Sequence, residues 1–153
     1  DGPARQGLEQ RARKLKIADR VMITGVVDPE AIPRHLAAFD IAVQPSAVRY
    51  ASPLKILEYM AAEKAIVAPR QANIMEILED LDNAMLFSSE ALPAILDKLI
   101  QDDALRISLG RNARSTIIKR RLTWSENARA ICAIADRILG GTSYTGGKAD
   151  VAA

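Results

Sequence analysis

Residues 50–69 read YASPLKILEYMAAEKAIVAP, and this short segment combines a helix start, a carboxylate and a buried strand. Ser52 is a favoured N-cap residue, and Pro53 suits the first helical position because proline has no N–H to leave unpaired. We therefore predict that the helix starts at Ser52. The first free backbone N–H groups, at Leu54 and Lys55, then lie at the positive end of the helix dipole. This arrangement predicts a site for a phosphate or a similar anion.

Glu58 carries the carboxylate of this segment. We place it on the outward face of the helix with Lys55 and Tyr59, opposite a predicted core-facing stripe. The stripe consists of Leu54, Leu57 and Ala61. An outward carboxylate can accept hydrogen bonds from two hydroxyl groups of a ligand. The alternative is an i, i+3 surface ion pair between Lys55 and Glu58, which contributes only a few tenths of a kcal/mol.

Composition describes an ordinary globular chain of 153 residues, 49% hydrophobic and 26% charged, with room for one core. The net charge of +2 gives no indication of a nucleic-acid partner. The single cysteine, Cys132, permits no internal disulfide and lies on an apolar helical stripe, so we expect a buried, inert thiol. The single histidine, His35, has no neighbouring ligand residues at metal-binding spacing, and we expect no metal site. We expect a cytoplasmic protein, soluble or peripheral to a membrane.

Apolar runs and helix signals alternate along the first 87 residues. The predicted strands are Val21–Val27, Ile41–Pro45, Ala65–Ala68 and Ala84–Phe87. An amphipathic helix at residues 3–17 precedes them, and Asp28 is predicted to cap a short helix that ends at Phe39. Strands separated by helices of this length form an open parallel sheet, which binds ligands at the carboxyl ends of its strands. The strand ends supply three weaker candidates for ligand contact, namely Gly25, Val26 and Ser46.

Two further segments complete this pattern. Asn73 and Glu76 have the spacing of a capping box, which predicts a helix that runs to about Asp80. The C-terminal third is predicted to be helical, at residues 90–101, at 103–120 and from Trp124 onward. The last helix has a stripe that we expect to be buried, formed by Trp124, Ala128, Ile131, Ala135 and Ile138. Residues 140–153 are predicted to form a flexible tail after a domain that covers residues 1–139.

The second of these C-terminal helices is basic. Between residues 104 and 125 there are six basic residues and no acidic one, namely Arg106, Arg111, Arg114, Lys119, Arg120 and Arg121. One interpretation is an ordinary solvated helix face. The other is a surface for anionic lipid or for a partner domain, since each basic residue near an anionic leaflet contributes about 1 kcal/mol.

The segment SPLKILEYMAAEKAIVA resembles the donor-site segment of family-4 glycosyltransferases with the GT-B fold, in the branch that reads SPxKxxEYMAxGKPxVA. Glu63 and Ala65 stand where many of those proteins carry Gly and Pro. Other stretches are similar to the family in the same order along the chain. They are the turn at residues 1–3, the segments at 20–25, 40–46 and 73–86, and the helices at 105–114 and 121–127. The resemblance therefore covers residues 1–139 and implies a Rossmann-like open parallel sheet, the C-terminal half of a GT-B fold.

The resemblance also implies roles for individual residues. The position of Glu58 binds the ribose hydroxyls of a nucleotide-sugar, and the backbone amides of Leu54 and Lys55 meet its diphosphate, beside Ser52 and Pro53. Tyr50 stands where many members carry a Glu that contacts the transferred sugar. Its ring either stacks on a sugar or packs the loop. The reaction implied is retaining sugar transfer without a metal or cofactor, with no catalytic residue assigned on this chain.

Two functions follow from these observations. The first is the donor-binding half of a hexosyl-type glycosyltransferase in glycan biosynthesis, whose partner is an N-terminal acceptor domain absent from this chain. It would act in the cytoplasm or at the inner face of the membrane. As given, the chain is expected to lack one strand, to expose a sheet edge and to transfer no sugar. The alternative is a non-catalytic, flavodoxin-like signalling or scaffold module, but the predicted strand ends carry no acidic cluster beyond Asp28.

Overall fold

A computed structural model describes residues 2–50, 52–88 and 90–140. The chain separates into two compact units, residues 1–39 and residues 40–153. The first unit contains helix α1 (Arg5–Lys14), two short 3-10 turns (Ala18–Arg20 and Pro29–Ala31) and helix α2 (Ile32–Ala37). The predicted cap at Asp28 is confirmed, since its carboxylate accepts a hydrogen bond of 2.9 Å from the N–H of Glu30.

The strand predicted at Val21–Val27 is wrong for the described structure. The segment belongs to no β-ladder, and the side chains of Met22 and Val26 are 87% and 86% exposed. A strand needs a neighbour to pair its backbone N–H and C=O groups, and no described strand lies beside this segment. The apolar run is therefore irregular chain that belongs to no sheet in the described structure.

The second unit holds the sheet and most of the helices. Strands β1 (Ile41–Val43), β2 (Ala65–Pro69) and β3 (Met85–Phe87) form a parallel sheet in the order β1-β2-β3. Ile41 pairs with Ala65, and Val67 pairs with Met85. The helices are α3 (Leu54–Ala61), α4 (Ala72–Met75), α5 (Leu92–Gln101), α6 (Asp103–Arg120) and α7 (Trp124–Ile138). The predicted class, an open parallel α/β sheet with a helical C-terminal third, is confirmed, although the sheet has three described strands instead of four.

The core lies on both faces of the central strand. All five residues of β2 are buried, which explains why this strand has a continuous apolar sequence instead of an alternating one. On one face, Ile66 and Ala68 pack with Ile56, Met60 and Ala113. On the other face, Val67 packs with side chains from β3, α5 and α6, namely Met85, Phe87, Leu99 and Leu109. Helices therefore cover both faces of the sheet.

Helix α3 ends in a tight turn against helix α6. The N–H of Lys64 donates to the carbonyl of Tyr59, and that of Glu63 donates to the carbonyl of Met60, both at 3.1 Å. Glu63 has a φ of 55°, which is the left-handed conformation that this type of helix end requires and that glycine adopts most readily.

Helix α7 is formed and capped as predicted, but its apolar face is not buried. The Thr123 hydroxyl accepts a hydrogen bond from the N–H of Glu126 at 3.3 Å. However, Trp124 is 79% exposed, and Ile131 and Ile138 are 67% and 77% exposed. Cys132 is exposed as well, so the predictions of a buried stripe and a buried thiol are both wrong for the described residues. The predicted tail lies outside the described residues from position 141 onward.

Among the helices that the structure describes, none is long and apolar enough to span a membrane.

Candidate functional site

The start of helix α3 differs from the prediction. The helix begins at Leu54, and Pro53 is its N-cap with a ψ of 71°, outside the helical region. No side chain caps this helix, so the assignment of Ser52 as the N-cap is wrong. Instead, the carbonyl of Ser52 accepts a hydrogen bond of 3.0 Å from the N–H of Leu54. The positive end of the α3 dipole therefore faces the segment formed by Ser52 and Pro53.

The faces of helix α3 also differ from the prediction. Its buried residues are Ile56 and Met60, whereas Leu54 is 53% exposed and Ala61 is exposed. At about 100° per residue, a residue and the one four positions later lie on the same face, which places Glu58 above Leu54. The predicted core-facing stripe is therefore wrong for Leu54 and Ala61, which share the exposed face with Glu58, whereas Leu57 is partly buried and packs against the core cluster as predicted.

Glu58 opens onto a groove of about 670 Å³. One wall of the groove comes from Ser52 and helix α3, and the other comes from the end of helix α6 and the start of helix α7. The lining residues are Ser52, Leu54, Leu57, Glu58, Ala61, Ile117, Leu122, Thr123, Trp124 and Asn127. The volume lies within the range of small-molecule sites, which are mainly apolar with a few polar groups. The groove joins three of the predicted site residues, Ser52, Leu54 and Glu58.

The side chain of Glu58 is exposed, and in the described part of the chain it forms no ion pair with Lys55. The surface-pair alternative is therefore not supported. The neighbouring Tyr59 has a pKa above its ordinary value, mainly because the ring is partly buried and secondly because the Glu58 charge disfavours the phenolate. The Glu58 carboxylate is thus exposed and is not paired with Lys55.

The loop at residues 44–53 connects strand β1 to helix α3 and carries the remaining candidates. The Gln44 side chain donates a hydrogen bond to the carbonyl of Ser46. Tyr50 is 92% exposed, so its ring does not pack the loop. Asn73 donates a hydrogen bond of 3.0 Å from Nδ2 to the carbonyl of Val48. These contacts hold the loop at the carboxyl end of β1, the edge at which parallel sheets bind ligands.

The capping box predicted at Asn73 and Glu76 is not formed. Helix α4 starts at Ala72 with Gln71 as its N-cap, has no side-chain cap, and ends at Met75 instead of near Asp80. The side chain of Asn73 lies within the helix and reaches the 44–53 loop. Sequence reasoning missed this contact because the same residue at the same spacing is also typical of a helix cap.

The weaker candidates are split between the two units. Ser46 lies three residues after the end of β1 in the second unit and is exposed. The other two, Gly25 and Val26, belong to the first unit. Gly25 has a φ of 73°.

The basic residues of the C-terminal region are mostly engaged within the chain. Arg106 donates to the carbonyl of Leu99 and pairs with Asp103. Arg114 pairs with Glu63 at 3.2 Å, and Arg121 pairs with Glu126 at 2.8 Å. Arg120 lies 3.4 Å from the carbonyl of Ile77. These contacts favour the interpretation as a solvated helix face over an open basic surface.

The fold defines an open parallel α/β domain of the Rossmann-like kind, in which the start of helix α3 follows the carboxyl end of β1 and the exposed Glu58 lines a groove beside it. The chain belongs to the glycosyl transferases group 1 family, whose model matches residues 1–102. The fold is that of the C-terminal domain of GT-B glycosyltransferases.

Three known proteins illustrate the similarity. An alpha-D-kanosaminyltransferase from Streptomyces kanamyceticus is 31% identical over 117 residues, which cover 74% of this chain and 30% of that protein. A sucrose-phosphate synthase from Thermosynechococcus elongatus has a TM-score of 0.80 at 19% sequence identity. The match covers 92% of this chain and 36% of the synthase chain. Anabaena HepE, solved in complexes with UDP and with UDP-glucose, has a TM-score of 0.68 at 25% sequence identity. The match covers 75% of this chain and 32% of the HepE chain. The chain thus spans about a third of each of these proteins.

Proposed function

We propose that this chain is the nucleotide-sugar-binding half of a retaining glycosyltransferase, which transfers a hexosyl-type sugar from a nucleotide-sugar to an acceptor. The observation that carries the proposal is the exposed carboxylate of Glu58, which lines a groove beside the start of helix α3. Family membership and the UDP-glucose complex of the structural relative HepE support a nucleotide-sugar as the ligand. No observation favours the non-catalytic signalling module.

In this proposal, Glu58 accepts hydrogen bonds from the two ribose hydroxyls. The diphosphate lies at the start of helix α3, where it meets the backbone N–H groups of Leu54 and Lys55 beside Ser52 and Pro53. The Leu54 N–H donates to the Ser52 carbonyl, so its contact with the phosphate requires this hydrogen bond to be exchanged. The exposed ring of Tyr50 stacks on the transferred sugar. Ser46, Gly25 and Val26 are secondary candidates for donor contacts.

The chemistry assigned to these groups is electrostatic. When the bond between sugar and diphosphate breaks, negative charge grows on the leaving nucleoside diphosphate. Fixed N–H groups and the positive end of a helix dipole stabilise that charge as it develops. The resemblance to family-4 glycosyltransferases implies that neither a metal nor a cofactor is needed for this step. We assign no catalytic residue on this chain.

The proposal includes an N-terminal domain that binds the acceptor. The similar proteins are about three times as long as the matched part, and transfer requires donor and acceptor to be held together. We therefore expect the isolated chain to bind a nucleoside diphosphate and to release none from a nucleotide-sugar. We place the enzyme in the cytoplasm but do not extend the proposal to a membrane contact, because four of the six basic residues are engaged within the chain.

The experiment that tests the proposal measures UDP binding to the 153-residue chain by calorimetry, with and without Glu58→Ala. A hydrogen bond to a charged group contributes about 1.5–3 kcal/mol, so the substitution should weaken binding roughly 10- to 100-fold. The melting temperature should not change, since the side chain is exposed.

Glu79→Ala is the matched control, because it removes an exposed carboxylate of the same length from the turn before β3. It should leave UDP affinity unchanged. Equal affinities of the unsubstituted chain and Glu58→Ala would refute the role of Glu58. Absence of binding to UDP and to the other common nucleoside diphosphates would refute the proposed function.

A further inference from the structure

Two loops meet at the ligand-binding edge of the sheet, and one side chain connects them. The loop at residues 44–53 follows β1, and helix α4 follows β2 after two residues. The carboxamide of Asn73 in α4 donates a hydrogen bond of 3.0 Å to the carbonyl of Val48, which lies 25 positions earlier. We infer that Asn73 is a positioning residue for donor binding, because its carboxamide sets the shape of the loop that presents Tyr50 and the start of helix α3. This inference rests on the proposed function.

After Ala47, the described residues of the 44–53 loop have few other contacts that could fix its shape. The start of the loop is held by the Gln44 N–H, which donates to the carbonyl of Val67 at 2.8 Å, and by Ala47, which packs against the core cluster. The hydrogen bonds from the Gln44 side chain to the carbonyl of Ser46 and from Leu54 to the carbonyl of Ser52 each span only two residues. Val48 is 52% exposed, and Tyr50 is 92% exposed. A segment with little buried apolar surface opens easily unless a longer-range contact holds it. The bond from Asn73 is such a contact, and it acts at the middle of the loop.

Helix α4, which carries Asn73, is fixed by the core of the second unit. Ile74, next to Asn73, is fully buried in the core cluster that contains Ile56 and Met60 of helix α3. The same core thus fixes the backbone that carries Asn73 and the helix that carries Glu58. The bond to Val48 orients the peptide two residues before Tyr50 and four before Ser52. Loss of the bond frees the segment between two fixed ends.

The test uses Asn73→Ala and the nearly isosteric Asn73→Asp, which keeps the size of the side chain but removes its N–H donors. Asn112→Ala is the matched control. Asn112 also donates through Nδ2 to a distant carbonyl, that of Asp82 at 2.9 Å and 30 positions away, and this bond holds the turn before β3 instead of the 44–53 loop. Both positions therefore lose the same kind of bond, and they differ in the segment that the bond holds.

Two quantities are measured on the 153-residue chain, namely UDP affinity by calorimetry and amide hydrogen exchange of residues 46–50. Both Asn73 variants should exchange faster at residues 46–50 and bind UDP roughly two- to twelvefold more weakly, the change expected from one neutral hydrogen bond. Their melting temperatures should match that of Asn112→Ala, and Asn112→Ala should change neither loop exchange nor UDP affinity.

Unchanged exchange at residues 46–50 in both Asn73 variants would overturn the inference, and so would faster exchange with unaltered UDP affinity. An equal loss of UDP affinity in Asn112→Ala would also overturn it, since the effect would then be one of general stability. If the unsubstituted chain binds no nucleoside diphosphate, the proposed function fails. The exchange comparison then decides by itself whether Asn73 holds the loop.

Discussion

Gly110 lies where helix α6 passes closest to the turn after helix α3, and substitution by alanine should destabilise the second unit. A Cβ atom at this position would lie 2.2 Å from the carbonyl oxygen of Glu63 and 2.8 Å from its carbonyl carbon. Both distances are shorter than real Cβ contacts allow, and the obstacle is backbone that cannot rotate away. Helix α6 would have to move by roughly 1 Å in a core packed as densely as a crystal.

The magnitude follows from two opposing contributions. In the interior of a helix, replacing glycine by alanine normally stabilises by about 1 kcal/mol. Forcing an extra methyl group into a packed site destabilises by about 1–3 kcal/mol, and the upper end applies because the flanking residues Leu109 and Ala113 are buried and must move too. We therefore expect a net loss of about 2 kcal/mol of unfolding free energy.

The assay is urea denaturation followed by circular dichroism, with Gly7→Ala in helix α1 as the control. A Cβ at Gly7 would meet nothing within 4 Å, so that variant should gain the helix-propensity contribution, about 1 kcal/mol, in the first unit. If Gly110→Ala were as stable as the unsubstituted chain, the close approach of α6 to Glu63 would be refuted.

Two other substitutions test features of the same unit. Glu63→Gly should raise the unfolding free energy in a denaturant melt by about 0.5 kcal/mol, because it relieves the left-handed backbone at the end of α3 and loses only an exposed ion pair with Arg114. Glu63→Ala keeps the strain, so a gain in Glu63→Ala as large as that in Glu63→Gly would contradict this reasoning. Trp124→Ala should reduce the unfolding free energy of the isolated chain by less than about 1 kcal/mol, since the side chain is 79% exposed; a loss of about 3 kcal/mol or more, typical of a buried aromatic residue, would place Trp124 in the core of this unit.

The class of fold was predictable because a strand that is buried on both faces of its sheet has a continuous apolar sequence. The run AIVAP forms a strand with five buried residues, and helix signals on both sides of it place helices over the sheet. The same signal failed at Val21–Val27, because an apolar run shows only that a segment can be buried. Whether it becomes a strand depends on a neighbouring strand, and none is described beside it.

The candidate site was predictable in its residues but not in their arrangement. The motif identified Ser52 and Glu58, which line one groove. The prediction of a cap at Ser52 was wrong because Pro53 has a ψ of 71° and is therefore not helical. The proline ring fixes φ but not ψ, so the sequence does not determine this angle. The contact between Asn73 and Val48 joins positions 25 residues apart, and no local pattern records such a pair.

Helix α3 links stability to the proposed binding site. Its eight residues span roughly 12 Å, so a displacement at one end reaches the other. At its C-terminal end, the N–H of Ala62 donates to the carbonyl of Glu58, and the turn at Glu63 rests against Gly110 of helix α6. One row of the helix, Ile56 and Met60, is fixed in the core, while the opposite side of the helix carries Glu58 into the groove. The glycine at position 110 therefore allows the close packing that determines where the carboxylate lies, and a methyl group there would displace Glu58 as well as destabilise the unit.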